Sequence, residues 1–250
     1  MNAFIESLSS GPAKIGLWQA LANNYTAEIC AEAGFDWLLF DGEHSPNTAQ
    51  TLLGQLQAVA ASPVHAIARV PAHDDWIIKQ YLDLGFRTLL VPMVDSAEQA
   101  KAIVAATRYP PHGVRGVASS TSRAARFGQA TSYLATANST TGVIVQIESR
   151  SGLNAIEEIA AVEGVDALFI GPGDLSAALG HLGAPMADEV QSAVDDAVHR
   201  VLATGKPCGI FGLGKADADK RISQGVRFVS IGTDIGVLMN GAKALRAQFK

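Results

Sequence analysis

Eight short runs of β-branched and aliphatic residues recur along the chain, each separated from the next by a longer amphipathic stretch. They are Ile15 to Trp18, Trp37 to Asp41, Ala66 to Val70, Thr88 to Pro92, Val143 to Glu148, Ala167 to Ile170, Cys208 to Phe211 and Phe228 to Ile231. Strand-length runs alternating with helix-length ones are the pattern of consecutive βα units around a parallel sheet. Gly34, Gly85, Gly164, Gly205 and Gly225 each fall where a helix should stop before the next strand, the position that favours a left-handed residue. Eight units in 250 residues predict an α/β fold, a (β/α)8 barrel occupying residues 1–250 as one domain. A doubly wound open sheet is the alternative, weakened because no Gly-rich dinucleotide fingerprint follows the first strand.

Hydrophobic residues make up 48% of the chain and charged residues only 17%, more apolar surface than a monomer of this size hides, so a subunit interface is expected. The net charge of -5 argues against a nucleic acid or an anionic membrane as partner and leaves a small metabolite as the default. Two cysteines, Cys30 and Cys208, are too few for a disulfide framework and suit a reducing cytoplasm. The amino terminus lacks a basic segment followed by an apolar one, and no later run approaches the roughly 20 residues that cross a bilayer. A soluble, cytoplasmic protein is the expectation.

Chemistry in a parallel barrel collects at the carboxyl ends of the strands. Asp41, Glu43 and His44 end the second strand, Arg69 the third, Gln146 and Glu148 the fifth, and Asp174 follows the sixth. Side chains alternate along a strand, so Gln146 and Glu148 point the same way. The fifth and sixth strands are neighbours, which lets Glu148 and Asp174 reach one ion. Two carboxylates leave most of an octahedral shell to water and substrate, the way Mg²⁺ or Mn²⁺ is held at a working site. Taken singly, Glu148 could cap a helix starting near Ser151, and Asp174 one starting at Leu175; their joint placement beside Gln146 favours the metal.

His44, following the second strand and preceding a helix expected to contain Pro46 in its first turn, is placed as a general acid or base. His65, His112, His181 and His199 read as surface histidines. Arg69 lies in an apolar strand and needs an anion, either a structural partner such as Asp41 or Glu43 or an oxyanion formed during reaction. Trp18, Val117 and Phe211 are candidate apolar walls for a substrate pocket, with the upper core layer as the alternative place for Trp18 and Phe211. Lys14 and Lys206 precede strands and no lysine lies within one, which disfavours a Schiff-base mechanism. Only Lys215 could approach the mouth. The segment after Arg108, YPPHGVRGVASSTSRAARFG, reads as a long loop at the top of the barrel, its Arg115, Arg123 and Arg126 available to an anionic substrate or subunit. Phosphate binding after the seventh and eighth strands is weakened by the nearby charge of Asp234.

The runs GLW, FDWLLFDGEH, KQYLDLGFRTLLVPMV, RYPPHGVRGV, VQIES and VEGVDALFIGPGDLS, in this order from about Lys14 to the carboxyl terminus, resemble the HpcH/HpaI aldolases, metal-dependent class II pyruvate aldolases. The resemblance implies a barrel that exchanges its last helix with a neighbour, a hexamer, and a divalent Mg²⁺, Mn²⁺ or Co²⁺. It implies reversible cleavage of 4-hydroxy-2-oxo acids to pyruvate, or a related 2-oxo acid, and an aldehyde through a metal-stabilised enolate. By motif, Glu148 and Asp174 resemble the metal ligands, Gln146 and the backbone at Gly173 and Asp174 the substrate contacts, His44 the base and Arg69 the transition-state stabiliser. Asp83 in LDLG resembles the acid that raises the histidine's basicity, although its place near the end of a helix puts it at the far end of the barrel from His44. The rival readings are a CoA-thioester lyase of the citrate lyase β-subunit or malyl-CoA lyase type, and a non-catalytic metabolite-binding barrel.

Overall fold

The computed structural model describes residues 1–249. Eight strands, β1 (Lys14–Gln19), β2 (Trp37–Asp41), β3 (His65–Arg69), β4 (Thr88–Val91), β5 (Gly142–Ile147), β6 (Ala167–Ile170), β7 (Cys208–Phe211) and β8 (Phe228–Thr233), pair in sequence order as a closed parallel barrel. The helices are α1 (Ala3–Ser7), α2 (Asn24–Ala31), α3 (Ala49–Ala58), α4 (Asp75–Leu84), α5 (Ala97–Thr107) and α6 (Tyr133–Thr140). They continue as α7 (Arg150–Asn154), α8 (Ile156–Ala160), α9 (Pro172–Ala178), α10 (Asp188–Ala203), α11 (Lys215–Ser223) and α12 (Asp234–Ala247). The β1–β8 pairing, with Lys14 opposite Phe228, closes the ring. Gly34, Gly85, Gly164, Gly205 and Gly225 all have positive φ, as helix-ending positions require.

Alternation along the strands sorts the apolar side chains into two layers. Trp18, Trp37, Leu39, Ile67, Leu90, Ile144, Phe169 and Phe228 fill the lumen, while Leu38, Phe40, Ala68, Leu89, Val143 and Val145 face the helices. Two lumen positions are glycine for want of space. A Cβ on Gly16 would lie 2.1 Å from the Trp37 ring, and one on Gly209 2.3 Å from Phe228. Helix α1 plugs the amino-terminal end, where Phe4 meets Trp37, His65 and Phe228 edge-on. The Asn2 amide donates to the carbonyls of Arg87 and Thr140 and to Thr88 Oγ1. With that end sealed by packing and hydrogen bonds, the carboxyl ends of the strands are the open face.

Several expectations change in detail. Lys14 is the first residue of β1, so one strand does carry a lysine, at its amino end and away from the open face. His65 opens β3 and is half-buried against Phe4 rather than on the surface, and burial lowers its imidazole pKa. Pro46 lies in the loop ahead of α3, whose N-cap is Thr48. The long segment 108–132 follows α5, so it starts at the amino-terminal face and not at the top. It packs on the end of α4, where Ala124 N donates to Asp83 O and Arg123 Nη1 to Leu84 O. A loop that follows a helix in a βα barrel returns below the sheet, and its length does not alter that. Val117 goes with it, away from the mouth of its own chain. No helix among the described residues is long and apolar enough to cross a membrane.

Candidate active site

Arg69 is the last residue of β3, and its guanidinium organises one side of the open face. Nε and Nη2 donate to the two oxygens of Asp41, each at 2.8 Å. Nη1 lies 2.7 Å from Glu43 Oε2, an ion pair without the in-line geometry of a hydrogen bond. The guanidinium carbon stacks 4.4 Å from the Trp18 ring. With its side chain only 5% exposed, the charge is compensated by geometry rather than by water. A guanidinium has five N–H donors, and two of them are hydrogen-bonded, both to Asp41. The anion that the sequence requires for Arg69 is therefore present as structure, and three N–H donors are left without a hydrogen bond.

The adjoining side is built from β5. Gln146 and Glu148 do face the same way, and Gln146 Nε2 donates to Glu148 Oε2 at 2.5 Å. Glu148 Oε1 accepts from the backbone N–H of Met93 in the β4–α5 connection at 2.9 Å. Glu148 is 2% exposed. Burial raises its carboxyl pKa to about 7, against the lowering effect of the Met93 N–H, and the charges of Asp174 and Glu43 push it the same way. Burial likewise raises Glu43, although Arg69 and His44 pull it down and Asp41 and Asp174 add to the rise. Asp174, exposed on the first turn of α9, thus acts on both the buried Glu148 and the half-buried Glu43.

Neither acid caps a helix. The N-cap of α7 is Ser149, whose Oγ accepts from Gly152 N, and the N-cap of α9 is Gly171. The side chains of Glu148 and Asp174 are left to the mouth, which removes the bland explanation for their position. Arg69 pairs with Asp41 and Glu43, while Glu148 lies within the field of Asp174 and Glu43, an excess of negative charge that a divalent cation would balance. Gln146 Oε1 is buried without a hydrogen-bond partner. Gly171 forms the wall behind it, since a Cβ there would sit 2.5 Å from Glu148 Oε2 and 2.7 Å from Gln146 Nε2. Among the described residues no three His, Cys, Asp or Glu side chains form a cage. The residues present fit an ion held by two carboxylates, with its other positions open.

His44 stands at the rim with its side chain 64% exposed, its Nε2 3.9 Å from Glu43 Oε1. Trp18 and Phe211 pack edge to face at 5.5 Å, with Phe169 beneath Trp18. Trp18 is thus both the top of the lumen core and the floor of the mouth, and its indole Nε1 is buried without a partner. Gly173 is exposed, with nothing within 4 Å of a Cβ there, so its side-chain identity is free and its backbone open.

Asp83 does not join this cluster within the chain. It lies near the end of α4, at the opposite face from His44, and accepts from Arg115 Nη2 at 2.7 Å. Arg115, expected to be available to an anion, is fully buried by this pair and by the rings of Tyr109 and Tyr133. Lys215 heads α11 and pairs with Asp219, and Asp234 is buried on the backbone N–H groups of Ala20 and Leu21. Two clefts of about 550 Å³ are lined by parts of segment 108–132 and the end of α4, away from the strand tips, so volume does not mark the chemistry here. Sequence reasoning passes over Met93 and Gly171. A strand-terminal Gly is ambiguous, and no pattern announces a methionine with φ of 52°.

The sequence profile described as HpcH/HpaI aldolase/citrate lyase matches residues 14–241. A hydroxypyruvate/pyruvate aldolase of Deinococcus radiodurans is 52% identical over 249 residues, covering 100% of this chain and 90% of that protein. A 4-hydroxy-2-oxo-heptane-1,7-dioate aldolase of Salmonella dublin is 48% identical, covering 99% and 94%. The crystal structure of an HpcH/HpaI aldolase/citrate lyase family protein from Burkholderia cenocepacia superposes with a TM-score of 0.95 at 38% identity, over 99% of each chain.

Proposed function

Because the chain belongs to the HpcH/HpaI aldolase/citrate lyase family, we propose that it is a divalent-metal-dependent class II aldolase that reversibly cleaves 4-hydroxy-2-oxo acids to pyruvate, or a related 2-oxo acid, and an aldehyde. The observation that carries the metal-dependent part is the buried Glu148, held on both oxygens beside Gln146 and within the field of Asp174, with its pKa raised to about 7 chiefly by burial. Glu148 and Asp174 would hold the ion, Mg²⁺, Mn²⁺ or Co²⁺. When bound, such an ion acts as a Lewis acid on a 2-oxo acid and makes the protons beside the carbonyl removable.

The protein's own groups do the rest. Gln146 and the backbone at Gly173 and Asp174 orient the 2-oxo acid. His44, exposed at the rim with Glu43 behind it, takes a proton from the carbon next to the keto group. The N–H donors of Arg69 not hydrogen-bonded to Asp41 serve the oxygen on which negative charge develops. The resulting carbanion adds to the aldehyde carbonyl, and the new alkoxide takes up a proton. In the cleavage direction the base removes the 4-hydroxyl proton and the C3–C4 bond breaks. Trp18 and Phe211 give the aldehyde an apolar wall.

The assembly we infer is a homo-oligomer, a hexamer in which α12 is exchanged. The helix supports this by its own exposure: Val237, Leu238, Met239 and Leu245 all face solvent in the single chain. In such an assembly Asp83 acts on His44 of a neighbouring copy, since its place at the far face excludes the His44 of its own chain. A cytoplasmic location suits the free thiols of Cys30 and Cys208. Mixing the purified chain and Mn²⁺ with a 4-hydroxy-2-oxo acid should release pyruvate, read by coupled NADH oxidation. Release of an acyl-CoA from malyl-CoA, with no pyruvate from the hydroxy-oxo acid, would move the assignment to the thioester lyases.

A further inference from the structure

The β4–α5 connection is stitched to the end of β5 at three successive residues. Met93 N donates to Glu148 Oε1 at 2.9 Å, Val94 N donates to the Gln146 carbonyl at 3.2 Å, and Asp95 accepts from Ser149 Oγ. In an extended chain successive N–H groups point to opposite sides, so Met93 and Val94 cannot both donate to β5 unless the backbone turns between them. It does turn. Met93 has φ of 52°, in the left-handed region that side chains with a Cβ rarely adopt. Ala22, Arg126 and Phe127 share that conformation, but among the described residues only Met93 uses it to donate to a carboxylate of the mouth. The stitch also leaves no slack beneath it, because a Cβ on Gly152 would come within 2.8 Å of Val94 O.

We propose that Met93 is a positioning residue whose left-handed backbone, rather than its thioether, fixes Glu148 for cation binding. The inference rests on the reading of Glu148 as a metal ligand. Strain kept at one residue beside a functional group is intelligible when the surroundings over-determine it, as the three-point stitch does here. It predicts that cation affinity follows what conformation residue 93 can adopt. Glycine and asparagine enter the left-handed region readily, and β-branched residues do not.

The test is Mn²⁺ binding by calorimetry on the full chain in its native assembly. Met93→Gly and Met93→Asn should bind within about threefold of wild type, while Met93→Val should bind roughly 10- to 100-fold more weakly, the range for losing a group that orients a ligand. Replacing the Met93 amide by an ester, which deletes the N–H and keeps the side chain, should weaken binding by a similar factor and decides the matter if the valine variant does not fold. A residue that only stabilised the loop would lower the unfolding midpoint in chelator and leave Mn²⁺ affinity unchanged. Wild-type affinity in the ester protein, or equal losses in the glycine, asparagine and valine variants, would overturn the proposal. Glu148→Ala separates the two layers. If it binds Mn²⁺ like wild type, the ligand reading itself fails and the Met93 inference falls with it; if it loses binding while the ester protein keeps it, Met93 alone is refuted.

Discussion

Replacing Glu148 by glutamine should make the metal-free protein more stable even as it removes the proposed metal ligand. The folded carboxyl sits at about 7, against an ordinary value of 4.5, with burial as the main cause. Each pH unit of that gap corresponds to about 1.4 kcal/mol, so keeping Glu148 ionised costs the metal-free fold about 3 kcal/mol. The sign follows from proton counts. Between pH 4.5 and about 7 the folded state retains a proton that the unfolded chain has released, so wild-type stability falls as pH rises through this window and the full cost is present above it. The glutamine variant has no such cost. Its amide still accepts from Met93 N, and a flip of Gln146 brings the unpartnered Oε1 round to accept the new N–H. Urea unfolding in chelator at fixed protein concentration should show the two proteins close in stability at pH 5 and Glu148→Gln ahead by up to about 3 kcal/mol at pH 8. Saturating Mn²⁺ should then raise the wild type and leave the variant unmoved. A variant less stable than wild type at pH 8, or a gap that does not change with pH, would refute the reasoning.

Removing the rim histidine tests a different part of the site. His44→Ala should lower proton abstraction by about 10²- to 10⁴-fold yet keep stability within about 0.5 kcal/mol, because the side chain is largely exposed; a kinetic assay paired with thermal unfolding reads both. Gly171→Ala drives a Cβ into Glu148 Oε2 and Gln146 Nε2 and should weaken Mn²⁺ binding by roughly tenfold or more, whereas Gly173→Ala, with open space around it, should bind as wild type; equal behaviour of the two would contradict the cradle. Arg69→Met leaves the buried Asp41 and the half-buried Glu43 without their counter-charge and should cost about 3–5 kcal/mol in denaturant unfolding at pH 7; a loss below about 1 kcal/mol would show that water reaches the pair.

What is legible in the sequence is what depends on residue identity at single positions. The glycines that end five helices can be read because a left-handed terminus narrows the choice of residue, and the strand runs because both layers of a closed barrel must be apolar. The gathering of Asp41, Glu43, Arg69, Gln146 and Glu148 at one face follows from strand ends alone, and so does the removal of Asp83 to the other. The route of segment 108–132 is misread because its arginines and length suggest a binding loop at the top of the barrel, whereas the preceding α5 consigns it to the opposite face. Arg115 shows the same limit: an exposed-looking loop cation is buried between Asp83, Tyr109 and Tyr133, partners 32, 6 and 18 residues away in sequence. Met93 is illegible for another reason. Its role belongs to the backbone, and the backbone conformation there is imposed by contacts to β5 rather than by its side chain.

Exchange of the pyruvate methyl protons with deuterated water measures cation-assisted proton abstraction at this mouth with no aldehyde present. Followed by NMR, exchange should proceed with Mg²⁺ or Mn²⁺, stop with chelator and be lost in Glu148→Ala. Exchange that persists in chelator, together with covalent trapping of the protein by borohydride and pyruvate, would contradict it.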